Sequence, residues 1–312
     1  MTGKDGYTAG GYHVPVLLSE SVEALALRPG GVYVDATFGG GGHSRAILSR
    51  LTGGAVLFGF DQDPDAAANA PALCPGDGGS FTFVASNFRY LRNWMRYYGV
   101  GGIDGIIADL GVSSHHLDDA GRGFSFRFDA PLDMRMNRLG GITAKDIVES
   151  YPEERLADVL YNYGELRNSR RIASAIVKAR AEGGVSTTAG LVSVVEPLLP
   201  RERSRKELSK VFQALRIEVN GEMAALSELL EAATDLLVPG GRLVFISYHS
   251  MEDRMVKNFI KAGNASGRAE SDFYGRVEKP LRAIGGVVAP SEEEQFANPR
   301  SRSAKMRVGE KI

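Results

Sequence analysis

Short apolar runs and segments of helical spacing alternate through the first third of the chain. Val32-Tyr33-Val34, Ala55-Val56-Leu57-Phe58-Gly59-Phe60, Phe81-Thr82-Phe83-Val84 and Ile103-Asp104-Gly105-Ile106-Ile107-Ala108 read as buried strands. The first, second and fourth run into carboxylates, Asp35, Asp61 and Asp109. Helices are predicted from Glu20 to Leu27, from the glycines after Phe38 to about Leu51, and from Tyr90 to Tyr98. Strands and helices in this rhythm predict a doubly wound parallel α/β sheet, with its ligand crevice at the carboxyl ends of the strands. From Ser113 to Val211 the strand pattern fades. Ile172, Ala175, Ile176 and Ala179 there fall on one helical face. A stripe of Met223, Leu226, Leu230, Ala233 and Leu237 then marks a helix from Glu222 to Val238, stopped by Pro239-Gly240-Gly241. Arg242 to Ser247 returns to the sheet; the tail from Phe273 is uneven, with Ala304 to Val308 as its candidate last strand. The chain is therefore expected to hold a core of residues 1–112 and 212–312 and an inserted, mainly helical domain of residues 113–211.

The stretch that organises the rest is Asp35-Ala36-Thr37-Phe38-Gly39-Gly40-Gly41-Gly42-His43-Ser44. Strand, glycine turn and helix in succession let the backbone pass close to a ligand and present unpaired N–H groups to it. The dinucleotide fingerprint needs a third glycine where this chain has Ser44 or Arg45, so the match is incomplete. An acid four residues ahead of the glycines, Asp35-x-x-x-Gly39-x-Gly41, resembles the first motif of S-adenosylmethionine-dependent methyltransferases. That cofactor carries an ammonium and a carboxylate, which suit an acidic strand end beside bare amides. Asp35 could instead cap the turn. Asp61 lies about 20 residues beyond Gly41, where an acid ending the second strand meets ribose hydroxyls; it or Asp63 could alternatively cap the helix at Pro64.

Composition narrows the picture without changing it. With 43% hydrophobic and 24% charged residues in 312, the chain is an ordinary globular one. Its net charge of −1 leaves any nucleic-acid contact to a local patch. A lone cysteine, Cys74, excludes a disulfide framework and a multi-cysteine zinc site, and adjacent His115 and His116 diverge too far to make a metal pair. Met1 to Gly11 is polar and no run reaches the length of a membrane span, so no membrane association and a cytoplasmic location are expected.

Blocks along nearly the whole chain carry a closer resemblance. They are His13-x-Pro15-Val16-Leu17-Leu18-x-Glu20, the glycine stretch above, Asp109-Leu110-Gly111-Val112-Ser113-Ser114, Arg122-Gly123-Phe124-Ser125-Phe126 and Pro131-Leu132-Asp133-Met134-Arg135-Met136. Phe212-Gln213-Ala214-Leu215-Arg216-Ile217-x-Val219-Asn220, Ser247-Tyr248-His249-Ser250-Met251-Glu252-Asp253-Arg254 and Asn298-Pro299-Arg300-Ser301-Arg302-Ser303-Ala304-Lys305 complete the set. In this order they resemble the RsmH (MraW) family of bacterial small-subunit ribosomal RNA cytosine-N4 methyltransferases. The resemblance implies a Rossmann-like class I methyltransferase core with a helical insertion, and S-adenosylmethionine as cofactor. It implies transfer of a methyl group to the exocyclic amine of a cytidine near the decoding site. Cofactor contacts would map onto Gly41, Gly42, His43, Asp61, Phe88, Asp109 and His116. The family usually carries glutamine at the position of His116, and often His-Pro-Ala where this chain has Arg205 to Lys210.

The exocyclic amine is a poor nucleophile, because its lone pair is delocalised into the ring. A protein acting on it has to align nitrogen and methyl and hold an acceptor against the amine. Asp109, Ser113 and His249 are the expected catalytic set, at the ends of neighbouring strands, with the base lifted from its stack. Arg122 and Arg135 fit phosphate clamps or structural ion pairs equally well. For RNA contact, Arg167, Arg171 and Lys178 share one face of a predicted helix. The regions from Arg201 to Lys206 and from Arg300 to Arg307 come second. The partner is then small-subunit ribosomal RNA, free or in the assembled subunit, with a second copy of the chain as a candidate. A nicotinamide oxidoreductase shares the fold but has no substrate signature here. A non-catalytic assembly factor would have no need to keep Asp35, Gly41, Asp61 and Asp109.

Overall fold

The computed structural model describes residues 15–70, 79–268 and 279–312. His13, Cys74 and Phe273, singled out above, lie outside the described residues. The chain divides into two compact units: one runs to Gly111 and resumes at Met223, and the other is Val112–Glu222.

The first unit holds a seven-stranded sheet in the order β3-β2-β1-β4-β5-β7-β6. Its members are β1 (Val32–Asp35), β2 (Ala55–Asp61), β3 (Gly79–Ala85), β4 (Ile103–Asp109), β5 (Leu237–Ser247), β6 (Leu281–Ala283) and β7 (Lys305–Lys311). The first five run parallel; β7 lies antiparallel to β5, and β6 antiparallel to β7. Strand order reverses between β1 and β4, which makes a Rossmann-like sheet with its switch point at those two strands. Helices α1 (Leu18–Ala24), α2 (Gly42–Leu48), α3 (Pro64–Ala67) and α4 (Leu91–Tyr97) belong to the first half. Period-2 alternation sorts the strand side chains into two cores. Val34, Phe58, Ile106 and Phe245 join one cluster, and Tyr33, Leu57, Ile107 and Val244 join the other. Both faces of the central strands are thus covered, as a parallel sheet requires.

Two sheet features depart from the sequence reading. Pro239-Gly240-Gly241 lies inside β5 instead of ending a helix in front of it. Ile103 pairs with Leu237 and Gly105 with Arg242, so the extra residues form an irregularity that Gly240, at φ 76°, can adopt. The edge strand β6 is too short and too polar to have an apolar run of its own. It forms because β7 offers it a template.

The second unit comprises α5 (Ser114–Asp118), α6 (Ala144–Ser150), α7 (Glu153–Gly164), α8 (Ser169–Ala181), α9 (Thr188–Val195) and α10 (Ser204–Asn220). Leu156, Leu160, Ile172, Ile176, Val211 and Leu215 form the centre of its core. Thr143 and Asp146 close a capping box at the start of α6. The boundary expected at residue 211 is corrected to Glu222: α10 runs unbroken to Asn220, and Phe212 and Leu215 are buried in this unit's own core. Asn220 holds the α10 end by donating to Met134 O and accepting from Met136 N, both at 2.8 Å. Arg122 is buried and donates to the carbonyls of Arg135 and Met136, each at 3.0 Å, while Arg135 pairs with Asp133. Both arginines therefore serve the structure of the loop. The chain returns to the sheet through α11 (Glu222–Leu236), and α12 (Ser250–Ala262) and α13 (Glu292–Ala297) follow.

Candidate active site

The corner between β1 and α2 is held shut from inside. Asp35 is buried, accepting at Oδ2 from the Ser44 hydroxyl at 2.6 Å and at Oδ1 from Thr37 N at 3.1 Å. Its carboxylate thus braces the turn, the capping alternative of the sequence reading. Gly39 and Gly41 sit at φ 50° and 72°, left-handed geometry that a Cβ would strain. Gly42 is needed for another reason: a Cβ there would lie 2.2 Å from the Pro15 ring. Next to it, His43 is buried on α2 and hydrogen-bonds the Val16 backbone, leaving Nε2 without a partner. Burial pushes the His43 pKa down, against the opposing pull of the Asp109 carboxylate and the hydrogen bond to Val16.

Asp61, at the end of β2, accepts from Gly39 N at 2.7 Å and from Asp63 N at 2.8 Å. The capping work proposed as its alternative falls to Asp63, which accepts from Asp65 N at 3.0 Å. Phe88 follows β3 and is half-buried against the core. Asp109, at the end of β4, is tied down on two sides. Its N–H donates to the Thr37 hydroxyl at 2.7 Å, and its Oδ1 accepts from the Tyr248 hydroxyl at 2.8 Å. Burial drives the Asp109 carboxyl up to about 6, against the opposing pull of His43 and Tyr248. Asp35 is likewise raised by burial to about 6. Asp35 is buried and Asp109 half-buried, and two carboxyls on adjacent strands that desolvation shifts upward mark this corner as a candidate site.

His249 is the N-cap of α12, just past the end of β5, and shares a capping box with Glu252. Its Nε2 lies 3.0 Å from Glu252 Oε1 in a direction that makes no hydrogen bond. Ser113 and His116 belong to the second unit, where they form the reciprocal cap of α5 at 3.3 Å in each direction. The His116 ring also stacks on Phe124 at 5.0 Å between centroids. Arg171 and Lys178 are exposed on α8. Arg167 is exposed too but precedes the Asn168 N-cap, so the three-residue helical face reduces to two. Sequence reasoning missed Tyr248 and Thr37, which hold Asp109. Tyr248 stood in a quoted block, one residue past the strand end, but only the fold shows where its hydroxyl goes.

The family model for the MraW methylase family matches residues 11–312. The chain belongs to that family. It is 60% identical to the ribosomal RNA small subunit methyltransferase H of Phocaeicola vulgatus over 301 residues, covering 96% of this chain and 97% of that protein. The proteins of the same name from Parabacteroides distasonis and Flavobacterium johnsoniae are 57% and 48% identical, each over 96% of this chain and 98% of its own length. The methyl donor the corner suits is S-adenosylmethionine. The run from Gly39 to Gly42 puts no side chain in the turn, His43 Nε2 is a buried nitrogen without a hydrogen-bond partner, and the Asp61 carboxylate ends β2 beside the turn, on Gly39 N. Among the described residues, no helix is long and apolar enough to cross a membrane.

Proposed function

We propose that the chain methylates the exocyclic N4 amine of a cytidine in small-subunit ribosomal RNA, near the decoding site. The names of its relatives support ribosomal RNA as the substrate. The observation that carries the chemistry is Asp109, a half-buried carboxylate at the switch point with one oxygen held by Tyr248. When bound, S-adenosylmethionine supplies an electrophilic methyl group on a sulfonium. Asp61 would accept from the ribose hydroxyls, Gly41, Gly42 and His43 would line the amino-acid end, and Phe88 would lie along the adenine. With Oδ1 taken by Tyr248, Asp109 Oδ2 is the oxygen to accept from the cytosine amine. That acceptor strengthens its hold as the nitrogen becomes cationic, and then receives the proton that the nitrogen sheds. A carboxyl near pKa 6 is charged at physiological pH yet basic enough for this task.

His249, at the end of the neighbouring strand, would border the base. On the inserted unit, the exposed Arg171 and Lys178 would meet phosphates. Mass analysis of ribosomal RNA from cells lacking this protein tests the proposal. One small-subunit cytidine without its base methyl group is expected. An unaltered methylation pattern would refute it.

A further inference from the structure

Far from the switch point, the outer edge of the first unit's sheet carries a groove of about 560 Å³ between α12, β6 and β7. Ile260, Leu281, Val308 and Ile312 line it, and the Gly285-Gly286 pair keeps one wall flat. Lys257, Lys261, Lys279 and Arg282 also line it, and all four are exposed. None of the described residues that line it is acidic. Among the described residues, Asp253 accepts from Arg307 at 2.6 and 3.1 Å, and Glu310 pairs with both Arg242 and Arg282. The three lysines make no hydrogen bond or ion pair among the described residues. Lys257 lies near enough to Asp253 to help hold that carboxyl's pKa down, and in a chain whose net charge is −1 the four cations are a local concentration of positive charge.

We propose that this groove docks a single-stranded stretch of the RNA substrate, away from the cytidine that is methylated. The inference rests on the proposed ribosomal RNA reading for its choice of polymer. Lys257 and Lys261 stand one helical turn apart, a rise of about 6 Å, comparable with the step between successive phosphates of an extended strand. Lysine heads on flexible stems suit phosphate oxygens, whose position varies along such a strand. The aliphatic floor and glycine wall offer a flat apolar bed to base faces, without hydrogen-bonding groups that would select a sequence. An acidic peptide would satisfy the charge but makes no use of the one-turn lysine repeat.

The test uses the full chain, with Lys257→Gln, Lys261→Gln and Lys279→Gln combined, and fluorescently labelled small-subunit RNA titrated over a salt series. Calorimetric binding of S-adenosylmethionine serves as the fold control. The triple variant is expected to bind RNA at least tenfold more weakly at low salt. Its log affinity against log salt should be shallower by about 2, three phosphate contacts at about 0.7 each. Lys261→Gln alone, a single surface change, should show about a third of that loss in slope. Unchanged affinity and slope would overturn the proposal. So would intact RNA binding combined with lost binding to acidic ribosomal proteins. A wild-type protein that binds RNA through these lysines but transfers no methyl group would overturn the functional reading and leave the groove standing.

Discussion

Replacing Tyr248 with phenylalanine removes a single oxygen, and with it the 2.8 Å hydrogen bond to Asp109 Oδ1. The ring stays beside Gly111, so packing is little altered. A hydrogen bond to a charged group is worth about 1.5–3 kcal/mol, and one pH unit corresponds to about 1.4 kcal/mol. That bond favours the charged form of Asp109, so losing it should lift a carboxyl already at about 6 by roughly one to two pH units. In the proposed reaction the carboxylate is the active form, so kcat/KM falls as pH drops through the pKa. The wild-type acid limb is expected near pH 6, and the Tyr248→Phe limb between about 7 and 8, with the two rates converging in alkali. Methyl transfer to small-subunit RNA from pH 5 to 9 reads this directly. An acid limb that stays in place in Tyr248→Phe would refute the role given to the Asp109–Tyr248 pair.

Three more outcomes are expected. Asp109→Asn should abolish transfer yet raise stability above pH 6. Burial lifts the folded-state pKa from 3.8 to about 6, so the wild-type carboxyl destabilises the fold increasingly from pH 4 to 6 and constantly above that. The gain is at most about 3 kcal/mol in denaturant unfolding at pH 7.5 and should vanish towards pH 4. Gly41→Ala places a Cβ at φ 72° and should cost about 1–2 kcal/mol of stability while weakening S-adenosylmethionine binding in calorimetry. Charge reversal at Arg171 and Lys178 should weaken RNA binding and flatten its salt dependence, and identical titrations at all salt concentrations would discard that surface.

The β-α rhythm of the first half was legible because buried parallel strands leave unbroken apolar runs, and Asp35, Asp61 and Asp109 end theirs as expected. The glycine corner was legible too, but its inner wiring was not. Asp35 looked like a cofactor ligand until its two oxygens were found on Ser44 and Thr37, and Gly42 owes its identity to Pro15. Which groups meet there depends on how the turn folds back on itself, which the residue pattern does not reveal. The β6 edge strand was hidden because three residues with one buried side chain carry no period. The start of β5 was misread because proline and glycines usually end an element, whereas here they form a bulge within it. Arg167 missed its helix by a residue or two, the ordinary uncertainty of a helix end.

The measurement that bears most directly on the account is incubation of the purified protein with S-adenosylmethionine and small subunits from cells lacking it, followed by fragmentation of the modified nucleoside in a mass spectrometer. The account predicts one added methyl group, on the exocyclic nitrogen of a single cytidine, and none when Asp109→Ala replaces the wild type. A methyl group on ring carbon or ribose, or full transfer by the Asp109→Ala protein, would contradict it.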